Sequence, residues 1–323
     1  MTIRWGILGC GDVARRRVAT AIQQNPDSIL QAVCRRNQQK LQQFCDDFEV
    51  PDSYTDSQQL LDATNIDAVY VATPVYLHQP QTLLAAQQGK HVLVEKPMAM
   101  SVNECESMIE VCQQNQVKLG VAYYRRFYPV ITRIGEILAS GEVGQPLSVT
   151  AVTATPFNFQ PGDDGYWRVL KEEGGGGALM DIGSHRIDLF QHLFGPIGEV
   201  AGFTSTLAAD YVADNCTTLT MRFTSGVHAV LQCYFGATID PDEFTILGTN
   251  GRLTVAPLNE GKLIVELADG RREELLPPHD NFNDPLIDDF VAAIAEDREP
   301  LISGAAGCGT NQVIEAAYLQ KTV

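Results

Sequence analysis

Short apolar runs alternate with amphipathic segments up to about residue 122. Residues 3–8 form a short, mainly apolar run, and Ala14, Val18, Ala21 and Ile22 then recur at the spacing of one helical face. The same pattern predicts strands at 29–34, 68–72, 91–94 and 117–122, and helices at 38–48, around 83–86 and at 102–112. Strands that alternate with helices are typical of right-handed crossovers and a mostly parallel sheet.

The period of the pattern changes to two after about Tyr123. Leu219, Met221 and Phe223 alternate with polar residues, and Ser225-Gly226, Asn250-Gly251 and Asp269-Gly270 are hairpin signals. This pattern predicts a mostly antiparallel sheet with helices covering one face. The other face carries Val230 and Tyr234 beside polar residues, so it is either half-solvated or packed on a second subunit.

The change of period marks a boundary between two domains near residue 122. No flexible linker marks this boundary. We expect an α/β nucleotide-binding domain at 1–122 and an α+β domain with a large open sheet at 123–323. Two amphipathic helices are predicted near the C-terminus, one through Leu286, Phe290 and Ile294 and one over about 305–319.

Composition narrows the class of protein. Of 323 residues, 45% are hydrophobic and 20% charged, which indicates full cores. The net charge of −17 argues against a nucleic-acid or anionic-membrane partner, since both need a basic surface. Eight cysteines without a C-x-x-C pair predict free thiols in a reducing cytoplasm, and we expect no metal site.

A glycine-rich turn follows the first predicted strand. Gly9 allows a tight turn, Gly11 leaves room for a pyrophosphate, and Ala14 lets helix and strand pack closely. Asp12 and Val13 then open the helix, whose free N–H groups and dipole favour phosphate. The motif alone is weak, and the alternative is a glycine-rich turn without a ligand. Its position after a strand and before a helix favours a dinucleotide site.

Charge at the end of the second strand suggests which dinucleotide binds. NAD-selective sites usually carry an acid there, about 20 residues after the glycines. Asp27 precedes the strand instead, and the strand ends in Arg35-Arg36. Guanidinium groups suit a 2′-phosphate, so we predict NADP, with NAD as the alternative. Under the alternative interpretation, both arginines are only solvent-exposed side chains at the end of a loop. We interpret Arg15-Arg16-Arg17 in the same way, as the solvated face of a helix.

Two segments carry candidate proton-transfer groups. Glu95-Lys96-Pro97 follows the strand at 91–94, at the edge where ligands collect in a parallel sheet, and Lys-Pro is a candidate cis bond. At ~100° per residue, Asp181, His185 and Asp188 share one stripe of a helix beside an apolar stripe. Gly174–Gly177 precede that helix and permit close approach of ligand or backbone. The alternatives are an exposed lysine and a solvated helix edge.

Several short motifs occur together along the chain. They are Gly9/Gly11/Ala14, Ala72-Thr73-Pro74 with His78, Glu95-Lys96-Pro97, Tyr124-Arg125-Arg126-Phe127, Trp167-Arg168, and Gly175-Gly176-Gly177 leading to Asp181 and His185. As a set, and over essentially the whole chain, they resemble the Gfo/Idh/MocA family of glucose–fructose oxidoreductase, inositol 2-dehydrogenase and related sugar dehydrogenases.

The resemblance implies a Rossmann domain, an open-sheet domain, and hydride transfer between nicotinamide and a carbon of a sugar, polyol or related carbonyl compound. It assigns catalytic roles to Lys96, Asp181 and His185. Members often associate through the open sheet, so we expect a homodimer or homotetramer. Besides the glycine loop, Arg35, Arg36 and Lys96, the residues expected at the cofactor are Thr73, Pro74, His78, Glu95, Arg125, Trp167 and Arg168.

Two departures from the family pattern concern the substrate more than the reaction. Val75 stands where Asn usually follows Thr-Pro, and Tyr124 stands where many members carry Asn.

Two alternative functions remain on the same fold. One is a biliverdin reductase-like enzyme, which need not carry the Asp181/His185 pair. The other is an NADP-sensing regulatory protein, which need not keep the proton-transfer groups.

Overall fold

The computed structural model describes residues 2–207 and 209–320. The chain divides into two compact units. The first contains the N-terminal segment through Tyr124 together with Asn281–Cys308, and the second contains Arg125–Asp280 together with the segment from Gly309 onward. The sequence pattern assigns Asn281–Cys308 to the second domain. In the structure this segment packs in the first unit, where the ring of Phe290 lies 5.6 Å from that of Trp5.

The first unit is built on a six-stranded parallel sheet in the order β3-β2-β1-β4-β5-β6. Its strands are β1 (Ile3–Leu8), β2 (Ser28–Cys34), β3 (Asp52–Tyr54), β4 (Ala68–Val71), β5 (His91–Val94) and β6 (Leu119–Val121). The strand order reverses between β1 and β4, as in doubly wound nucleotide-binding sheets. The carboxyl ends of β1 and β4 therefore flank the crevice where such sheets bind ligands. The predicted parallel sheet is confirmed.

Three of the helices begin at a side-chain cap. The helices are α1 (Ala19–Gln24), α2 (Gln38–Phe48), α3 (Ser57–Asp62), α4 (His78–Gln87), α5 (Val102–Gln114), α6 (Pro129–Ser140), α7 (Lys171–Gly174), α8 (Ser184–Phe194), α9 (Asp284–Ala295) and α10 (Gly304–Tyr318). Asn37, Asp56 and Ser101 accept backbone N–H bonds at the starts of α2, α3 and α5. No helix in the described part of the chain is long and apolar enough to cross a membrane.

The second unit contains an eight-stranded sheet in the order β14-β13-β12-β11-β7-β10-β9-β8. Its strands are β7 (Pro146–Thr155), β8 (Ile197–Ser205), β9 (Cys216–Phe223), β10 (His228–Phe235), β11 (Glu243–Gly248), β12 (Gly251–Val255), β13 (Lys262–Leu267) and β14 (Gly270–Leu275). Every pair is antiparallel except β7 with β10. The predicted hairpins at Ser225-Gly226, Asn250-Gly251 and Asp269-Gly270 join β9 to β10, β11 to β12 and β13 to β14.

Period-two alternation buries one face of this sheet. Leu219, Met221, Leu231 and Ile246 are each at most 4% exposed, and α8 packs against β10 on their side. Val230 and Tyr234 on the other face are half-buried. The side-chain period thus sets which residues form the core of the second unit.

Two buried ion pairs hold α8 in the second unit. The Arg126 guanidinium donates to both carboxylate oxygens of Asp188 over 2.6–3.1 Å, and Asp188 is fully buried. Arg186, 1% exposed, pairs with Asp242. The predicted polar stripe of Asp181, His185 and Asp188 is therefore wrong at Asp188, because an internal arginine makes burial of that carboxylate tolerable.

We expect Asp188→Ala to lower the free energy of unfolding of the second unit by about 3–5 kcal/mol, because Arg126 would stay buried without its counter-ion. Urea unfolding, followed by tryptophan emission and by circular dichroism, measures the change. Glu199→Ala is the control, since it breaks the exposed pair with Arg222 and should cost at most about 1 kcal/mol. Equal effects of the two substitutions would contradict the importance given to the buried pair.

Candidate active site

The loop after β1 has the geometry of a phosphate-binding turn. Gly9 has φ +87°, and a Cβ atom there would lie 2.7 Å from the carbonyl oxygen of Ala72, so only glycine fits. A Cβ atom on Gly11 would meet nothing nearer than the carbonyl oxygen of Gly9 at 3.9 Å. The space beside Gly11 is thus open on this side, which fits the close approach of a pyrophosphate.

The helix that follows this loop begins at Asp12 and includes a π-helical turn at Ala14–Val18 before α1. Ala14 is fully buried and lets the helix pack on the sheet, as predicted. Asp12 is exposed and pairs with Arg16 at 2.8 Å, and Val13 is half-buried. The first N–H groups of this helix are the donors that the fold offers to an anion.

The two predicted 2′-phosphate ligands differ in their surroundings. Arg35 lies at the end of β2 and donates from Nη1 to the carbonyl oxygen of Cys10 at 2.7 Å. Arg36 is exposed. The guanidinium of Arg35 is therefore fixed against the glycine loop, while Arg36 is accessible to a ligand.

Three side chains behind the carboxyl ends of β4 and β5 join the neighbouring loops. The hydroxyl of Thr73 donates to Oε1 of Gln81 at 2.7 Å. The His78 ring is buried, with Nε2 2.8 Å from the carbonyl oxygen of Thr73 and Nδ1 3.1 Å from that of Pro97. His78 thus connects the Thr73-Pro74 turn to the segment after Lys96, and its predicted contact with the cofactor stays a prediction.

Glu95 and Lys96 are both half-buried at the end of β5, and Lys96–Pro97 is a cis bond, as the sequence allowed. Oε1 of Glu95 accepts the hydroxyl proton of Tyr70 at 2.7 Å, and Asn283 donates to that hydroxyl at 3.3 Å. Burial, and then the Glu95 carboxylate, hold the pKa of Tyr70 well above its ordinary value, so the phenol remains a donor. The backbone beside Lys96 is therefore anchored to the core of the sheet.

An arginine and two aromatic rings form a further cluster in the first unit. The Tyr124 and Phe282 rings stack at 5.6 Å, and the Arg17 guanidinium lies 5.2 Å from each ring centroid. The interpretation of Arg15-Arg16-Arg17 as a solvated face is confirmed only for exposed Arg16. Arg15 pairs with Asp47, and Arg17 is held by the two rings. Tyr124 thus takes part in a cation–π cluster where many family members carry Asn.

In the second unit, the helix that carries Asp181 and His185 begins with a π-helical turn at Leu179–Gly183 and continues as α8. Most of its residues are buried, and His185 is 5% exposed. The Asp181 carboxylate, 22% exposed, lies 3.6 Å from Nε of Arg168. The Arg168 guanidinium also lies 4.6 Å from the Trp167 ring centroid. π-helical turns are frequent at functional sites, and this one carries the carboxylate that the sequence singled out.

A second set of polar contacts surrounds Arg125. Its Nη2 lies 3.4 Å from Oδ1 of Asn259, which also accepts the hydroxyl of Tyr128 at 3.1 Å. The N–H of Asn259 donates to Asp242, the ion-pair partner of Arg186. Asn259 and Asp242 were not predicted site residues. Asp242 stands between other acids, Asp240 and Glu243, so no local pattern in the sequence singles it out.

The predicted cofactor and catalytic residues are divided between the two units. Lys96 and the residues of the glycine loop belong to the first unit, and Arg125, Trp167, Arg168, Asp181 and His185 belong to the second. The meeting of Lys96 with Asp181 and His185 therefore stays a prediction. Chemically, the set offers a cation, a carboxylate and an imidazole, which can orient a hydroxyl group and exchange its proton.

Comparison with known proteins agrees with these features. The oxidoreductase-family model with an NAD-binding Rossmann fold matches residues 3–123, and the model of the GFO/IDH/MocA C-terminal domain matches residues 131–254. Oxidoreductase P35 of Formosa agariphila is 34% identical over 254 residues, which is 78% of each chain. The 1,5-anhydro-D-fructose reductase of Ensifer adhaerens is 28% identical over 94% of this chain and 92% of its own.

The fold is also that of solved structures. The crystal structure of aldose-aldose oxidoreductase from Caulobacter crescentus, complexed with glycerol, superposes with a TM-score of 0.88. The two chains are 28% identical, and the match covers 98% of this chain and 97% of that one. The chain belongs to the Gfo/Idh/MocA family of NAD(P)-binding oxidoreductases.

Proposed function

We propose that this protein is an NADP-dependent dehydrogenase or reductase acting on a sugar, a polyol or a related carbonyl compound. The observation that carries the proposal is the helix on which Asp181 and His185 lie one turn apart while most of its other residues are buried. The sugar-acting relatives among its family members support the substrate class.

When bound, the nicotinamide supplies the hydride acceptor or donor for a substrate carbon. His185 takes the hydroxyl proton as the alcohol is oxidised and returns it in the reverse direction, because an imidazole exchanges protons near neutral pH. Lys96 donates a hydrogen bond to the same oxygen and stabilises the negative charge that develops on it. Asp181 orients the substrate or the imidazole, and Arg168 fixes the position of its carboxylate.

The choice of NADP rests on Arg35 and Arg36. Arg35 is held by the carbonyl oxygen of Cys10, beside the loop that would bind the pyrophosphate. Arg36 is exposed at the same strand end and adds a second guanidinium group. Two cations and no acid at this strand end favour a 2′-phosphate over a free ribose hydroxyl.

We also propose that the protein works in a reducing cytoplasm as a homodimer or homotetramer. None of the eight cysteines, all of which lie in the described part of the chain, forms a disulfide, and six of them are buried. The half-buried Val230 and Tyr234 on the open face of the second sheet support association through that face.

We expect His185→Ala to lower kcat by about 10²–10⁴-fold with the affinity for NADP nearly unchanged, and Lys96→Met to lower kcat by about 10²-fold or more. Initial rates of NADPH formation or consumption across a panel of sugars and polyols measure turnover, and calorimetry measures NADP binding. The matched controls are His228→Ala and Lys262→Met, which change exposed side chains at the open sheet. Wild-type rates in both site variants would refute the catalytic assignment.

Turnover with biliverdin but with no sugar or polyol would instead favour the reductase alternative. NADP binding without turnover of any panel member would favour the regulatory alternative.

For cofactor choice, we expect NADP to raise the melting temperature more than NAD does at equal concentration. Arg36→Ala should weaken NADP binding about tenfold or more and leave NAD binding nearly unchanged, because it removes a charge-assisted bond of about 1.5–3 kcal/mol to the 2′-phosphate. Arg4→Ala is the control, since Arg4 lies near the amino end of β1 and pairs with Asp67. A larger melting shift with NAD would contradict the NADP assignment.

A further inference from the structure

The helix that carries Asp181 and His185 is capped by a residue distant in sequence. The Asp214 carboxylate accepts the backbone N–H of Gly177 at 2.9 Å through Oδ1 and that of Leu179 at 2.9 Å through Oδ2. The carbonyl oxygen of Asp214 accepts the N–H of Ala178 at 2.8 Å. One residue thus binds three successive N–H groups at the start of this helix, which the helix itself leaves without partners.

The glycines before the helix make room for this cap. A Cβ atom on Gly177 would overlap the carbonyl oxygen of Asp214, and one on Gly176 would overlap the hydroxyl oxygen of Tyr318. The sequence leaves open whether the glycine run admits a ligand or backbone. In the second unit, Gly176 and Gly177 make room for a phenol and a backbone carbonyl group.

The remaining bonds of the carboxylate connect the cap to two other elements. Tyr318, in the last turn of α10, donates to Oδ1 at 2.6 Å, and Thr217 in β9 donates to Oδ2 at 3.0 Å. Burial, and then the Asp214 carboxylate, keep the pKa of Tyr318 well above its ordinary value, so the phenol remains a donor. Asp214 is 7% exposed, and all of its described side-chain bonds are within the second unit.

We infer that Asp214, held by Tyr318, is a positioning residue for the reaction: it fixes the π-helical turn of Asp181 and thereby the direction from which His185 reaches the substrate. The inference rests on the proposed function. Asp181 lies two residues after Leu179, the last capped residue, so the cap ends next to the carboxylate that it positions. A negative charge at the N-terminus of a helix also opposes its dipole and stabilises this geometry.

Two variants test this inference. Asp214→Asn keeps the size of the side chain but removes its charge and one acceptor oxygen, and Tyr318→Phe removes a single donor. We expect hydrogen–deuterium exchange of the peptide spanning residues 175–185 to quicken about tenfold in Asp214→Asn and less in Tyr318→Phe, since one lost charged bond corresponds to about a tenfold change. We also expect kcat to fall about tenfold or more in Asp214→Asn, with KM for NADP unchanged.

Asp67→Asn is the matched control, because Asp67 also accepts several bonds, from the N–H and side chain of Arg4, but lies before β4 in the first unit. It should change neither the exchange of residues 175–185 nor kcat. If Asp214→Asn fails to fold, Tyr318→Phe carries the same comparison.

The two readouts separate this inference from the proposed function. Unchanged exchange at residues 175–185 in both variants overturns the cap, and faster exchange with unchanged kcat overturns its role in the reaction. Full turnover in His185→Ala would overturn the proposed function and leave the exchange result standing.

Discussion

Both units of this protein contain a helix whose first N–H groups have no partner within the helix itself. Each helix N-terminus presents donors and a partial positive charge that some acceptor must meet. In the first unit, the helix after Gly9 and Gly11 leaves these donors beside an open turn. In the second unit, the helix after Gly176 and Gly177 has its donors bound by Asp214. The same physical need is thus met by an internal carboxylate in the second unit, whereas in the first unit the donors lie beside the glycine turn.

The rigidity of the helix that carries Asp181 and His185 also depends on charges inside the protein. Asp188 and Arg186, on either side of Ile187, pair with Arg126 and Asp242. Buried pairs of this kind add little to net stability, but they strongly penalise any arrangement that separates the partners. They therefore specify one orientation for α8, and with the Asp214 cap they fix the backbone on which His185 lies.

In the first unit, different contacts hold the backbone next to Lys96. Lys96 follows β5, and its backbone neighbours are held by Glu95 bonded to Tyr70 and by the His78 ring beside the carbonyl oxygen of Pro97. Tyr70 is a phenol in an otherwise aliphatic strand, so its hydroxyl needed a polar partner. The sequence indicates that the Tyr70 hydroxyl needs a polar partner, but it does not indicate which residue that partner is.

The sequence by itself determined the alternation of strands and helices in the first unit, both sheet types, the hairpins and the glycine loop, because these follow from local periodicity and from the conformational limits of glycine. It also pointed to Lys96, Asp181 and His185 through the family pattern. It did not show the short strand Asp52–Tyr54 or the helix Ser57–Asp62. Only the tertiary structure decided that Asp188 pairs with Arg126, that Asn281–Cys308 packs in the first unit, and that Asp214 caps a helix 35 residues before it. These contacts join residues far apart along the chain, and a local pattern cannot show which distant charge will meet another, because burial and packing select the partner.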